Sequence, residues 1–120
     1  MSDWRSRYED AADEEAARFA RATDRQLLEA VRNGATGQYY TVWRALAARR
    51  ATAELCWLLY DLLNSDRPYL ERYHCAAALL QLLHCDEFEA VQLSAGWSTV
   101  PGNLARLRRI VEAAVGPAAR

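Results

Sequence analysis

The run from Thr52 to Asn64 constrains the fold more than any other part of this chain. Residues 55–60 read LCWLLY and two more leucines follow at 62 and 63, so apolar side chains fall on nearly every side of a helix. A helix that is apolar all round is stable in water only when other elements cover it. We therefore expect this helix to form the centre of a core that the surrounding helices complete.

The remainder of the chain predicts six further helices. Apolar residues recur at helical spacing, no segment shows a convincing period-two alternation, and the 5 Gly and 3 Pro fall where breaks are expected. The sequence therefore predicts one all-α domain over residues 1–120, with a thin, Ala-rich first helix that docks loosely. The additional helices are expected at about 3–22, 24–33, 38–50, 67–84, a short one after residue 86, and about 104–115.

Capping residues mark several of the expected helix ends. Small polar residues accept hydrogen bonds from the first free N–H groups of a helix, and Gly or Asn tolerates the left-handed conformation that often ends one. A Glu or Gln three residues after the cap completes a capping box. The signals are a capping box at Thr23 and Gln26, a stop at Asn33 and Gly34, an Asp66 cap followed by Pro68, and a second capping box at Asp86 and Glu89.

The pattern over residues 52–83 is similar to that of a known family of helical repeats. It contains a leucine-rich first helix with Glu54, a turn with Ser65, Asp66 and Pro68, then Arg72 and the run AAALLQL at 76–82. This stretch resembles a HEAT-type helix pair, in which small Ala residues let two helices approach closely. Many helices joined by short loops predict either an antiparallel helical bundle or a short HEAT-like α-solenoid of about six to seven helices. The resemblance implies a scaffold that binds proteins.

Composition argues against several classes of partner. The net charge is −1 and all 15 basic residues are Arg, spread along the chain, which gives no long-range attraction to nucleic acid. The one basic cluster, Arg106, Arg108, Arg109 and Arg120, is interpreted as a solvated helix face. No apolar run approaches the roughly 20 residues that span a bilayer, and the polar start lacks a signal peptide. We expect a cytoplasmic protein without a membrane or nucleic-acid partner.

The three cysteines and two histidines are weak candidates for chemistry. The pairs His74–Cys75 and His84–Cys85 contain zinc-ligand types, but ten residues of one helix separate them by roughly 15 Å. A Cys–His nucleophile would also need an orienting group and an oxyanion hole, for which the sequence shows no motif. We therefore expect free, buried thiols, no metal, no cofactor and no enzymatic activity.

The aromatic residues are the best indication of a binding surface. Tyr, Trp and Arg dominate the energetics of protein interfaces, and the chain has 4 Trp and 6 Tyr. The sequence favours a protein-binding module, plausibly an immunity or antitoxin-type inhibitor that occludes a toxin or enzyme, as a monomer or homodimer. Two alternatives stay open: a ligand pocket lined by Trp57, Tyr60, His74 and Cys75, and a homo-oligomer formed through the first helix. The expected partner-binding residues are Asp61, Tyr69, Arg72, Tyr73, Glu87 and Trp97, and the acids of 86–89 are expected to meet a basic partner.

Overall fold

The computed structural model describes residues 4–118 and confirms an all-α fold. Over that range it contains seven helices and no strand. The chain divides into two compact units, residues 1–48 with α1 to α3 and residues 49–120 with α4 to α7. The predicted helix start at Asp3, and Arg120 of the basic cluster, lie outside the described residues. The helices are α1 (Trp4–Arg21), α2 (Asp24–Arg32), α3 (Thr41–Ala47), α4 (Ala53–Leu63), α5 (Tyr69–Leu82), α6 (Val91–Ser94) and α7 (Val100–Val115).

The two predicted ends of α2 are confirmed. The backbone N–H of Gln26 donates to Thr23 Oγ1 at 3.1 Å, and Gln26 Oε1 accepts from the backbone N–H of Thr23 at 2.9 Å. This is the reciprocal capping box that the sequence predicts. At the other end Gly34 takes the left-handed conformation at φ 74°, and the N–H of Ala35 donates to the carbonyl of Ala30 at 2.8 Å. Together these bonds end α2 in a Schellman motif.

The third helix is shorter than predicted. It spans Thr41–Ala47 rather than residues 38–50. Tyr40 has a left-handed backbone at φ 60°, which a continuing α-helix cannot accommodate. The backbone N–H groups of Gln38 and Tyr39 donate to the carboxylate of Glu15, so they are unavailable as a first helical turn. The Glu15 side chain competes for these N–H groups from a position remote in sequence, so local helix propensity gives no indication of it.

In the second unit α4 and α5 pack together more extensively than any other two helices. Thr52 caps α4 by accepting a hydrogen bond from the N–H of Leu55 at 3.2 Å. Cys75 Sγ donates to the carbonyl of Leu59 at 3.1 Å, a contact across the two helices that fits an antiparallel pair. The predicted apolar centre is confirmed. Its buried members on these two helices are Leu55, Cys56, Trp57, Leu59, Leu62, Leu63, Cys75, Ala76, Ala78, Leu79, Leu80 and Leu82.

The predicted Asp66 cap is wrong. Helix α5 begins at Tyr69, its N-terminal cap position is Pro68, and no side chain bonds the first turn. A residue before proline is driven out of the α conformation, so Arg67 cannot be helical and the helix starts after Pro68. Asp66 is therefore too early in the chain to reach the first free N–H groups. Its carboxylate remains exposed and takes no part in the helix start.

The second predicted capping box is also wrong. The short helix α6 begins at Val91, its N-terminal cap position is Ala90, and no side chain caps its first turn. Gln92 Oε1 accepts from the backbone N–H of Glu89 at 2.8 Å, one residue before that cap position. Phe88 is buried although it precedes the helix. Asp86 and Glu89 match the spacing of a capping box, but the helix begins four residues later than a cap at Asp86 requires.

Helix α7 starts earlier than predicted, at Val100 rather than near residue 104. Pro101 lies in its first turn, where the missing N–H of proline removes no helical hydrogen bond. The segment between α6 and α7 therefore covers only residues 95–99. Leu107 and Val111 lie on the inner face of α7 and are completely buried. Among the described residues, no helix combines the length and the apolar character needed to cross a membrane.

Candidate partner-binding surface

The first two turns of α5 present a continuous apolar surface to solvent. Tyr69, Leu70 and Tyr73 are 39%, 54% and 36% exposed, and we call these three residues the α5 ridge. Tyr69 and Tyr73 are one helical turn apart, with ring centroids separated by 6.1 Å and planes tilted by 36°. His74 meets Tyr73 edge to face at 5.5 Å. Three large apolar side chains exposed side by side on one helix indicate an interaction surface.

Arg72, a predicted partner-binding residue, is used inside the second unit. Its Nε donates to the carbonyl of Arg67 at 2.9 Å, and its Nη1 donates to the carbonyl of Ser94 at 3.0 Å. The guanidinium group therefore joins the turn before α5 to the end of α6. Arg72 is a positioning residue that holds the backbone around the ridge, and these two donors are already committed.

We expect Arg72→Ala to lower the free energy of unfolding by about 1–2 kcal/mol, because both carbonyls lose a charged donor. Arg72→Lys should recover little of this loss, since one ammonium group cannot reproduce the fork that spans both carbonyls. Urea unfolding measures both effects. Arg109→Ala on exposed α7 is the control and should be neutral. Wild-type stability of Arg72→Lys would contradict the bridging role.

The bridge by Arg72 also brings Trp97 toward this end of the unit. Ser94, whose carbonyl Arg72 holds, precedes the irregular 95–99 segment, and Trp97 follows three residues later with 52% of its surface exposed. The side-chain hydroxyl of the same Ser94 donates to the carbonyl of Ala90 at 2.8 Å, which fixes the end of α6. Trp97 is therefore an exposed aromatic residue on a segment anchored beside the first turns of α5.

The two predicted acidic residues lie in different surroundings. Asp61 is exposed in the last turn of α4, which an antiparallel pair places at the same end as the start of α5. Glu87 instead meets Arg106 of α7 at 3.3 Å, and the Arg106 guanidinium lies 4.8 Å from the ring centroid of Phe88. Both charged side chains of that pair are more than half exposed, so the pair contributes little to stability. Asp61 therefore lies at the end of α4 that leads to α5, whereas Glu87 lies against α7.

The basic cluster on α7 is locally balanced by acids. Arg106 faces Glu87, and Arg108 Nε lies 3.3 Å from Glu112 Oε1 one turn later. Of the described members, Arg109 is the one whose side chain meets no carboxylate. Paired guanidinium groups attract phosphate less than an open basic face does. This arrangement matches the interpretation of the cluster as a solvated helix face.

Three of the four residues considered for a ligand pocket have polar atoms engaged within the second unit. Trp57 Nε1 donates to the carbonyl of Gly116 at 3.0 Å, and Tyr60 Oη donates to the carbonyl of Leu104 at 3.2 Å. These two bonds tie α4 to both ends of α7. Burial raises the pKa of the Cys75 thiol far above its ordinary value, and its Sγ donates to a backbone carbonyl. A thiol held in the neutral form is a poor nucleophile.

The cysteines are free as predicted, but only two of the three are buried as expected. Cys56, Cys75 and Cys85 are free, the first two are buried, and the third is half-buried. Burial also raises the pKa of Cys56. Within residues 4–118, no three His, Cys, Asp or Glu side chains come together in an arrangement that could hold a metal ion.

Leu70 is not among the residues that the sequence predicts for partner binding, yet it is the most exposed member of the ridge. The available signal was its position beside Tyr69 and three residues before Tyr73, which places all three on one side of a helix. The buried face begins only with Cys75 and Ala76.

The first unit contains a second feature that the sequence did not reveal. The buried carboxylate of Glu15 accepts hydrogen bonds from the N–H of Gln38, the N–H of Tyr39 at 3.2 Å, and the hydroxyl of Thr41. Burial by itself raises the pKa of Glu15, but these hydrogen bonds outweigh it and the pKa lies below its ordinary value. Tyr8 packs edge to face on Tyr39 at 4.9 Å and covers the same loop. We call Glu15 and its three donors the Glu15 clasp.

A groove of about 740 Å³ runs along α1 beside this clasp. Its charged side chains are Glu14, Glu15, Arg18 and Arg21, so the two positive charges and the two negative charges balance. A balanced lining does not select a cationic or an anionic ligand. The Arg18 guanidinium also lies 5.0 Å from the ring centroid of Phe19. The groove therefore defines no ligand class, and the α5 ridge is the stronger candidate site. No family model, no curated protein and no solved structure matches this chain.

Proposed function

We propose that this chain is a non-enzymatic helical module that binds a protein partner through the α5 ridge. The observation that carries the proposal is the exposure of Tyr69, Leu70 and Tyr73 side by side on the first turns of one helix. Tyrosine provides a large, stiff, amphipathic contact area at low entropic cost, which is why it is enriched in interfaces. The HEAT-like reading of α4 and α5 supports the same proposal, because such pairs serve as binding scaffolds.

The ridge is rigidly supported, which favours a binding role. The buried face of α5 packs on α4, and the guanidinium of Arg72 fixes the backbone on both sides of the ridge. A pre-organised surface loses less conformational entropy on binding than a mobile one does. Trp97 extends the same end of the unit with a fourth large side chain.

In its finer form, the proposal is an inhibitor of the immunity or antitoxin type that acts in the cytoplasm. Such a protein would work sterically, by covering the active surface of a toxin or enzyme, and would need no catalytic group of its own. The size of the chain and its helical scaffold support this form. Once a partner is isolated, its activity with and without the protein separates inhibition from scaffolding.

The test is a pull-down from the native source with wild-type and variant baits, followed by titration of the purified partner. We expect one stoichiometric protein partner to bind the wild type and Leu70→Ser to weaken the titrated affinity at least tenfold, because the ridge loses its aliphatic contact. Trp4→Ser is the matched control, since Trp4 is an exposed aromatic residue of the first unit at 70% exposure. Circular dichroism checks that each bait is folded. Equal partner binding by wild type and Leu70→Ser would overturn the assignment of the ridge.

A further inference from the structure

We infer that the partner segment recognised by the α5 ridge is a basic amphipathic helix, with aliphatic side chains facing the ridge and Lys or Arg at its edges. This inference rests on the proposed function and adds the chemistry of the partner. It follows from the charges that remain unengaged around the ridge and from the backbone that the ridge presents.

Five charged side chains lie between positions 61 and 73, and three of them are engaged by contacts within the protein. Arg67 Nη1 lies 3.7 Å from Glu71 Oε2, so these two charges compensate each other. The donors of Arg72 are directed to the carbonyls of Arg67 and Ser94. Asp61 and Asp66 are exposed, and neither carboxylate meets a cation or a donor within residues 4–118. The unengaged groups beside the ridge are therefore two carboxylates.

The Asp66 carboxylate does not cap α5, and the reason is the position at which this helix begins. If the helix began two residues earlier, at Arg67, the Asp66 carboxylate would accept N–H groups of the first turn. Pro68 delays the start to Tyr69 and leaves that carboxylate in solvent three residues before the ridge. Asp61 stands at the same end in the last turn of α4. One carboxylate in the last turn of α4 and one in the connecting turn favour a partner with positive charge.

The ridge rings support the same sign of charge. The faces of tyrosine rings carry the negative part of the aromatic quadrupole and attract Lys or Arg that lies over them. Tyr69 and Tyr73 are each more than a third exposed and tilted by 36° to each other, so a bound cation can approach either ring. Leu70 supplies the aliphatic contact between these polar features.

The partner segment should be helical because the ridge offers no backbone pairing. Over residues 4–118 the fold contains no strand whose edge could accept an added strand. A segment that docks on a helix must satisfy its own backbone N–H and C=O groups, and an amphipathic helix does so while presenting apolar residues at i, i+3, i+4 and i+7. Its polar sides then meet Asp61 and Asp66.

Two designed peptides test this inference on the full chain. Both are 18-residue amphipathic helices without Trp, with Leu at the same i, i+3, i+4 and i+7 positions; one carries Lys and Arg at its polar positions and the other carries Glu. Calorimetric titration at low salt should show 1:1 binding of the basic peptide at least tenfold tighter than the acidic one. The double variant Asp61→Asn with Asp66→Asn should weaken the basic peptide about tenfold and reduce the dependence of its affinity on salt. Glu29→Gln, an exposed carboxylate on α2, is the matched control and should change neither.

Leu70→Ser shows whether the peptide occupies the ridge, because an exposed leucine can be changed without unfolding the protein. Loss of basic-peptide binding in this variant supports the inference. Equal affinity for both peptides, lost in Leu70→Ser, would keep the proposed binding surface and overturn the charge preference. If neither peptide binds, or if Leu70→Ser binds the basic peptide normally, the basic-helix inference is overturned, and the partner titration decides the proposed function separately.

Discussion

A Gly37→Ala substitution is expected to destabilise the protein far more than Gly34→Ala, although the two glycines have almost the same backbone. Their φ angles are 75° and 74°, so an alanine at either site costs about 1–2 kcal/mol for the left-handed conformation. A β-carbon at Gly34 meets open space, whereas one at Gly37 would overlap the carboxylate of Glu15. The carboxylate is the end of a flexible side chain, but it can withdraw only by breaking the Glu15 clasp.

We therefore expect about 1–2 kcal/mol of destabilisation for Gly34→Ala and about 3–4 kcal/mol for Gly37→Ala, because the second change also leaves buried donors without an acceptor. Urea unfolding followed by circular dichroism measures both. If the overlap with Glu15 is the cause, the two glycine substitutions should lower the free energy of unfolding equally in a Glu15→Ala background, where the overlap no longer exists. A difference that persists in that background would place the cause elsewhere.

The Glu15 clasp also shows which features of the fold could not be predicted from the sequence. Glu15 lies at helical spacing with Tyr8, Ala12 and Phe19, so its position on the inner face of α1 could be read from the sequence. Its burial could not, because a carboxylate is expected inside only when partners satisfy it, and those partners are backbone N–H groups more than twenty residues away. The same long-range contact explains why α3 is shorter than local propensity predicts.

Capping signals, which act within one turn, were confirmed at α2 and failed at α5 and α6. The capping box of Thr23 and Gln26 is confirmed because both partners lie within three residues of each other. The Asp66 and Asp86 signals failed because each matched a cap by spacing while the backbone around it left the helix start elsewhere. Spacing identifies a possible cap, but the conformation of the residue before Pro68 decides which possibility forms.

The candidate surface was partly predictable for a similar reason. Tyr69 and Tyr73 are one turn apart in a helix that the sequence predicts, so their shared face follows from periodicity alone. The different role of Arg72 could be recognised only from the fold. Its two acceptors are backbone carbonyls, and one of them lies twenty-two residues later in the chain. An arginine next to tyrosines is interpreted as a binding residue as long as the acceptors of its guanidinium hydrogen bonds are unknown.

Replacement of Glu15 itself should produce a large loss that depends on pH. Glu15→Ala removes the acceptor of three buried or half-buried donors, and we expect about 3 kcal/mol of destabilisation at pH 7. Glu15→Gln keeps the shape and loses the charge, so it should cost less than the alanine variant. Glu14→Gln is the matched control, since Glu14 is the exposed neighbour on the same helix and should be neutral. Urea unfolding of the four proteins gives the comparison.

The sign of the pH dependence follows from the lowered pKa of Glu15. The folded protein holds this carboxylate ionised more firmly than the unfolded chain does, so it contributes stability that is complete above the unfolded pKa of about 4.3 and disappears as the pH falls through the lower folded pKa. The difference in unfolding free energy between wild type and Glu15→Gln should therefore be largest near neutral pH and shrink in acid. Every other carboxylate is common to both proteins, so its titration largely cancels in that difference. A difference that stays constant down to pH 3 would mean that the clasp holds the loop by shape rather than by charge.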